Sequence, residues 1–219
     1  MDPIVSQLIN VALVPRETLI YLLMLPILAT LVVISRHIFG LKSFGMYVPI
    51  IATYALATLG FKLGIALILY LVGIGLLIRI IITPLRIHYL SRISLIIGIS
   101  TIAALGFLYS MSLFNSTAVF ARQSALPIIL VLTLCESFIS TEIQKGLRTG
   151  IYLFVETMTI AVIGYFLLNW DRAQNFILDF PYIIIITVLV NVLIGKWKGL
   201  RFFEMWRFRT IKKSTVKKP

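Results

Sequence analysis

The sequence predicts an all-α membrane protein with seven transmembrane helices, arranged as an inverted repeat of two three-helix units plus a final helix. The 219 residues are 60% hydrophobic and 13% charged, with a mean hydropathy of +1.03. This is more apolar side chain than one water-soluble core can bury. The apolar residues fall into runs close to the roughly 20 residues that cross a hydrocarbon core as a helix. Two parts of the chain also match each other at a fixed offset.

Seven apolar runs are long enough to be read as spans, the second and fifth being the shortest. They cover residues 18–35, 43–59, 62–83, 93–110, 125–141, 148–168 and 179–195. The chain is thereby divided into an outer interfacial segment (1–17), a transmembrane domain (18–195) and a basic, aromatic cytoplasmic segment (196–219). A cleaved signal peptide is not expected, because no basic region precedes the first run and no small-residue cleavage site follows it.

The distribution of Lys and Arg predicts the orientation. With seven spans, fifteen of these residues fall on one side, nine of them after the last span, and four fall on the other. Positive residues stay cytoplasmic, so we expect an outer N-terminus and a cytoplasmic C-terminus, in a bacterial cytoplasmic (inner) membrane. This bias explains the net charge of +12, and nucleic-acid binding is not expected.

An internal repeat appears when the sequence is shifted by 86 positions. The shift superposes Gly60-Phe-Lys-Leu-Gly on Gly146-Leu-Arg-Thr-Gly, and Arg36 on Arg122 without a gap. The first three and the next three helices are therefore predicted to be copies, with opposite membrane orientation because three is odd. The alternative is a chance match of two apolar stretches, in which GxxxG marks only close helix packing.

Charged groups in the spans are the candidate functional residues, because a charge in hydrocarbon is costly and usually faces a cavity or a partner. On the predicted orientation they lie in the cytoplasmic half and form an inward-facing polar cavity, with basic residues that include Arg36 and Arg148 at its rim. The predicted binding set is Arg79, Glu136, Glu142, Glu156, Arg36 and Arg148. In the first repeat copy the three glutamates align with Ile50, Leu56 and Tyr70.

Four of these residues also have a structural interpretation. Glu142 is read alternatively as a solvated helix end near Lys145. Arg79 is read alternatively as a side chain that extends to the headgroups. Glu136 and Glu156 are read alternatively as partners in structural ion pairs with Arg79 or Arg148.

No metal, cofactor or catalytic residue is predicted. Cys135, the single cysteine, and the two histidines, His37 and His88, supply too few ligands for a Cys/His metal site. The signatures HExxH, P-loop and GxSxG are missing. The basic, aromatic segment after the last span predicts an interfacial helix on anionic headgroups, anchored by Trp197, Arg201, Phe203 and Trp206.

Several motifs recur in one bacterial family. They are the run around Pro26, the stretch from Arg36 to Pro49, Glu136 ahead of Ile-Gln-Lys-Gly-Leu-Arg148, Glu156-Thr, and the stretch from Asn191 to Glu204 with Arg207-Phe-Arg209. Over nearly the whole chain from residue 18, the sequence resembles the seven-transmembrane domain usually fused to an inactive transglutaminase-like domain. Over the two repeat units it resembles, more weakly, the small membrane subunit of poly-gamma-glutamate synthase, with Pro49 and Gln-Lys-Gly146-Leu matching best.

The resemblance implies a link to ATP-grasp ligases that join glutamate or similar amino acids. It marks Glu136, Arg148, Glu156 and Arg201 as candidates from the family's polar signature. Because 17 residues precede the first span, we expect the extracytoplasmic domain to be absent or supplied by another chain. The other expected partners are a cytoplasmic ATP-grasp ligase and anionic lipid headgroups, and a homo-oligomer is left open.

The sequence is compatible with three functions. The first is a non-enzymatic membrane component that receives a peptide-like or amino-acid-polymer product from the ligase and helps to export it. The second is a membrane anchor whose basic inner face docks the ligase. The third is an intramembrane enzyme that uses Glu156 as acid or base, for which no nucleophile or metal set is present in the sequence.

Overall fold

The computed structural model describes residues 15–82, 88–113 and 125–196. Within these ranges the chain forms eight α-helices and no strand, which confirms the predicted all-α architecture. In chain order they are α1 Arg16–His37, α2 Tyr47–Leu59, α3 Phe61–Ile82, α4 Tyr89–Leu113, α5 Leu126–Lys145, α6 Leu147–Leu168, α7 Asp171–Asp179 and α8 Ile183–Lys196.

Helix length bears on the number of membrane crossings. Five helices (α1, α3, α4, α5 and α6) are long and apolar enough to cross a membrane, and the bent pair α7 and α8 adds a sixth if it is one span. The apolar helix α2 has 13 residues, which is about 20 Å of helix and short for a bilayer core. Every predicted span contains a helix, but the number seven is not confirmed.

The predicted seventh span, 179–195, is wrong at its start. Helix α8 begins at Ile183, and the preceding α7 is bent away from it by 101°. Pro181 lies in the break, where its ring removes a helical N–H and disfavours helical geometry in the residue before it. Phe180 accordingly has φ −130° and ψ 69°.

The chain divides into two compact units, one made of Met1–Lys42 and Phe166–Pro219 and the other of Ser43–Tyr165. In the described part of the first unit, α1 contacts both α7 and α8. Its apolar cluster joins α1 to α7 and is built on Ile20, Met24, Ile177 and Leu178. This unit therefore packs around the first predicted span.

A polar contact joins α1 to α8. The Asn191 side chain donates through Nδ2 to Thr30 Oγ1 at 2.9 Å, and the Thr30 hydroxyl donates to the Pro26 carbonyl at 2.8 Å. Among the described residues the buried Asn191 Oδ1 has no hydrogen-bond partner. The contact thus satisfies one end of the asparagine amide and leaves the other end unpaired.

In the second unit α5 is the central helix, because it contacts α2, α3 and α4. Its packing against α3 is close: a Cβ placed on Gly75 would lie 2.9 Å from Ile139 Cγ1. One turn earlier, the fully buried Cys135 donates its thiol to the Leu71 carbonyl at 3.3 Å. From one contact to the next, α3 advances from Leu71 to Gly75 and α5 from Cys135 to Ile139. Both helices therefore run in the same direction.

Single glycines connect two helical hairpins, α2 with α3 and α5 with α6. Gly60 has φ 83° and Gly146 has φ 86°, a left-handed region that glycine adopts without steric strain. Each carbonyl accepts the N–H four residues later, from Gly64 at 2.8 Å and from Gly150 at 3.0 Å. The first helix of each hairpin therefore ends and the second begins with one residue between them.

The helices of each hairpin pack closely beside the turn. A Cβ on Gly64 would lie 2.9 Å from Leu56 Cδ2, and a Cβ on Gly150 would lie 3.3 Å from Glu142 Cβ. Leu56 and Glu142 are equivalent at the offset of 86. Both hairpins thus use the second glycine of GxxxG to bring α3 against α2 and α6 against α5.

Contacts between the hairpins are related by the same offset. Thr53 Oγ1 of α2 lies 3.3 Å from the Ala161 carbonyl of α6. At the offset of 86, Thr53 is equivalent to Ile139, and Ala161 is equivalent to Gly75. Ile139 and Gly75 are also in close contact. Such an exchange is what a pseudo-two-fold axis between the hairpins requires.

The two hairpins point in opposite directions. Helices α3 and α5 run parallel, and α2 reverses into α3 at Gly60, so α2 is antiparallel to its counterpart α5. An inverted repeat of two three-helix units needs this relation between its hairpins. The three-helix extent of the repeat, which includes α1 and α4, stays a prediction.

Candidate functional site

An ion pair joins α3 to α5 at the end of the second unit where both helices terminate. Arg79 lies three residues before the end of α3, and Glu142 lies three residues before the end of α5. Since the two helices run parallel, their side chains reach the same end. Arg79 donates from Nη1 to Glu142 Oε1 at 2.9 Å, and the side chains are 35% and 0% exposed, respectively.

Glu142 is enclosed by the turn that follows its own helix. Gly150 of α6 lies against it, and a Cβ there would be 3.3 Å from Glu142 Cβ and 3.5 Å from Glu142 Cα, a tight contact. Its second carboxylate oxygen, Oε2, is buried and has no hydrogen-bond partner within the described part of the chain. A buried polar atom of this kind is rare and costly. The position therefore has capacity for one more hydrogen-bond donor.

The interpretation of Glu142 as a solvated helix end is wrong, because the side chain is fully buried. A helix end is normally solvated, but here the single-residue turn at Gly146 brings α6 directly over it. Glu142 is one partner of Arg79. Pairing of Glu136 or Glu156 with Arg79 or Arg148 stays a prediction.

The other predicted site residues lie on three helices of the described structure. Glu136 is half-buried on α5, about 120° around the helix from Glu142. Glu156 is half-buried on α6, and Arg148 is exposed in the first turn of that helix. Arg36 is half-buried near the end of α1, in the first compact unit. That these residues line one cavity stays a prediction.

Both predicted interfacial segments lie largely outside the described residues. Residues 1–14 of the outer segment lie outside the described residues, and so does the C-terminal anchor set of Trp197, Arg201, Phe203 and Trp206. Within the described ranges, no group of three or more His, Cys, Asp or Glu side chains could hold a metal ion.

The sequence analysis missed an aromatic contact at the other hairpin turn. The rings of Phe61 and Tyr165 lie 5.2 Å apart between centroids, at an interplanar angle of 36°. Phe61 directly follows Gly60, and Tyr165 is the counterpart of Arg79 at the offset of 86. The signal for this contact in the sequence is the aromatic residue at the position equivalent to Arg79.

A bundle of apolar helices, five or six of them able to cross a membrane, defines an integral α-helical membrane protein. A more specific assignment comes from a family model that matches residues 4–212. The chain belongs to the family described as seven transmembrane helices usually fused to an inactive transglutaminase. No curated protein and no solved structure matches the chain.

The family assignment confirms the first resemblance in the sequence. The second resemblance, to the small membrane subunit of poly-gamma-glutamate synthase, stays a prediction. So do the orientation of the termini and the choice of the inner membrane.

Proposed function

We propose that the chain is a non-enzymatic membrane component that receives a peptide-like or amino-acid-polymer product of a cytoplasmic ATP-grasp ligase and moves it outward. The observation that carries this proposal is the pair of oppositely directed hairpins with exchanged contacts, Thr53 with Ala161 and Ile139 with Gly75. Inverted repeats of this kind are frequent in transporters, which bind substrate near the repeat interface.

The ion pair supports the same proposal. Charged side chains within a bilayer are rare, and they usually mark a substrate or ion pathway. The pair of Arg79 and Glu142 lies between one helix of each hairpin. On the predicted orientation this end faces the cytoplasm, where the ligase releases its product.

Export is tested in cells that produce the polymer with the ATP-grasp ligase encoded nearest to this chain. Deleting the chain should leave ligase activity in lysates unchanged while polymer accumulates inside the cells and disappears from the medium. Glu142→Gln should reproduce this loss, because it removes the charge and keeps the shape. The matched control is Gln144→Ala, at an exposed position two residues away on α5.

The docking function makes a different prediction in the same cells. Removing residues 197–219, with their eight Lys and Arg, should release the ligase from the membrane fraction if the chain is an anchor. If the chain is an exporter, Glu142→Gln blocks secretion while the ligase stays at the membrane. Normal secretion by Glu142→Gln and by the deletion strain would contradict the export proposal.

A further inference from the structure

The two hairpin turns are equivalent in the repeat, but the residues packed beside them differ in chemistry. Beside Gly146, Arg79 of α3 bonds to Glu142. Beside Gly60, the counterpart of that arginine, Tyr165 of α6, packs its ring on Phe61. The counterpart of Glu142 is Leu56, which is fully buried. One end is therefore charged, and the equivalent end is apolar and aromatic.

This comparison shows that closing a hairpin turn of this fold does not require charge. Replacing a buried ion pair by packed apolar residues is often neutral or stabilising, because both charges must be desolvated to form the pair. The chain contains such an apolar solution at the equivalent position, in Leu56, Phe61 and Tyr165. The charges at the other end therefore require a reason other than packing.

The unpartnered oxygen indicates what that reason is. Glu142 is fully buried, its Oε1 accepts from Arg79, and its Oε2 lacks a donor among the residues that the structure describes. The arginine keeps about a third of its side chain exposed, at 35%. A ligand at this pair would meet Glu142 Oε2, which is an acceptor without a donor. It would also meet the guanidinium of Arg79, a group that binds carboxylates well.

The charges of the ion pair restrict the kind of ligand that can bind there. Arg79 and Glu142 carry opposite charges, so a ligand with one net charge would add an unbalanced charge beside a fully buried carboxylate, at high cost. A ligand that is neutral overall avoids this cost. It can still supply a cationic donor to Oε2 and an anionic acceptor to the guanidinium.

We propose that Arg79 and Glu142 form a binding site for one zwitterionic amino-acid group, whose ammonium donates to Glu142 Oε2 and whose carboxylate accepts from Arg79. The inference rests on the proposed function in taking this group to be part of the exported product. It adds the chemistry of the recognised unit and the two residues that hold it.

The test uses the purified full chain in detergent, with glycine as the probe. Glycine should raise Tm in a saturable manner, whereas acetate and methylammonium at equal concentration, which each carry half of its charges, should not. The double variant Arg79→Tyr with Glu142→Leu installs the counterparts Tyr165 and Leu56 of the equivalent end, and the counterpart of Phe61, Leu147, is already apolar. It should fold with a Tm at or above that of the wild type, and glycine should no longer shift its Tm.

The matched control is Gln144→Ala, which should keep the response to glycine. The proposed site is overturned if glycine leaves the wild-type Tm unchanged, as expected if only water fills the position. It is also overturned if the double variant keeps the response, if acetate or methylammonium acts as strongly, or if the double variant does not fold, since the charges would then be needed for closure.

The outcomes for the site and for export are separable. If glycine binds the wild type and both the double variant and the deletion strain still secrete polymer, the export proposal fails and the site stands. If the double variant folds and loses secretion while glycine never binds, the ligand assignment fails and the export proposal stands.

Discussion

Two glycines on α3, two positions apart, differ in what surrounds them. Gly75→Ala should destabilise the protein by about 1–3 kcal/mol, because the new methyl group enters a packed contact with Ile139. Gly73 has nothing within 4 Å of a built Cβ, so Gly73→Ala should be neutral or stabilise by up to about 1 kcal/mol through helix propensity. Thermal unfolding in detergent measures both, and equal effects would show that α3 and α5 do not pack at Gly75.

At this scale the sequence could identify the charged residues but not their pairing. Arg79 and Glu142 were recognisable because charge within an apolar run requires a partner or a cavity. Which glutamate meets the arginine depends on the register between α3 and α5, whose paired residues are 63 positions apart. The burial of Glu142 depends on Gly150 lying against it, which no local pattern specifies.

Between α1 and α8, the two partners of one hydrogen bond should respond differently to removal. Thr30→Val leaves the Asn191 amide buried without the oxygen it donates to, and should lower stability by about 1 kcal/mol or more. Asn191→Leu removes the donor together with the unpartnered Oδ1, and should be nearly neutral or stabilising.

The double variant of these two residues should regain the stability that Thr30→Val loses, which a double-mutant cycle in detergent measures. Thr159→Val is the control, since that exposed hydroxyl donates to Val155 within α6. If Asn191→Leu lowers the stability as much as Thr30→Val does, the hydrogen bond stabilises the protein more than the unpaired Asn191 Oδ1 destabilises it.

Elements were predictable where apolar runs were long. Every long helix coincides with a predicted span, because an apolar run near the bilayer length has few alternatives to helix. Helix α7 was missed because its nine residues mix polar and apolar positions and resemble a loop. The break before α8 follows from Pro181, a local signal that the continuous apolar composition of the segment concealed.

For the whole molecule, the inverted hairpins predict that the two glycine turns lie on opposite faces of the membrane. Lys62 and Lys145 adjoin these turns and are exposed. In a background lacking Cys135, Lys62→Cys should react with an impermeant thiol reagent from outside intact cells, and Lys145→Cys only after the cytoplasmic face is opened. Labelling of both from one side would contradict the inverted arrangement.

The reversed case would separate two inferences about the molecule. If Lys145→Cys labels from outside and Lys62→Cys from inside, the hairpins are inverted but the orientation derived from the Lys and Arg count is wrong. The repeat could be predicted from one sequence because two GxxxG junctions lie 86 residues apart. The direction of insertion rests on the charge bias alone.

The one-residue connections at Gly60 and Gly146 determine where the molecule can be cut or carry a tag. Proteases and inserted domains need exposed backbone that can leave its hydrogen bonds. At Gly146 the N–H is bonded to the Glu142 carbonyl and the carbonyl to the Gly150 N–H, with 2.9 and 3.0 Å between the heavy atoms. Each hairpin should therefore survive limited proteolysis as one fragment, and epitope tags belong outside both turns.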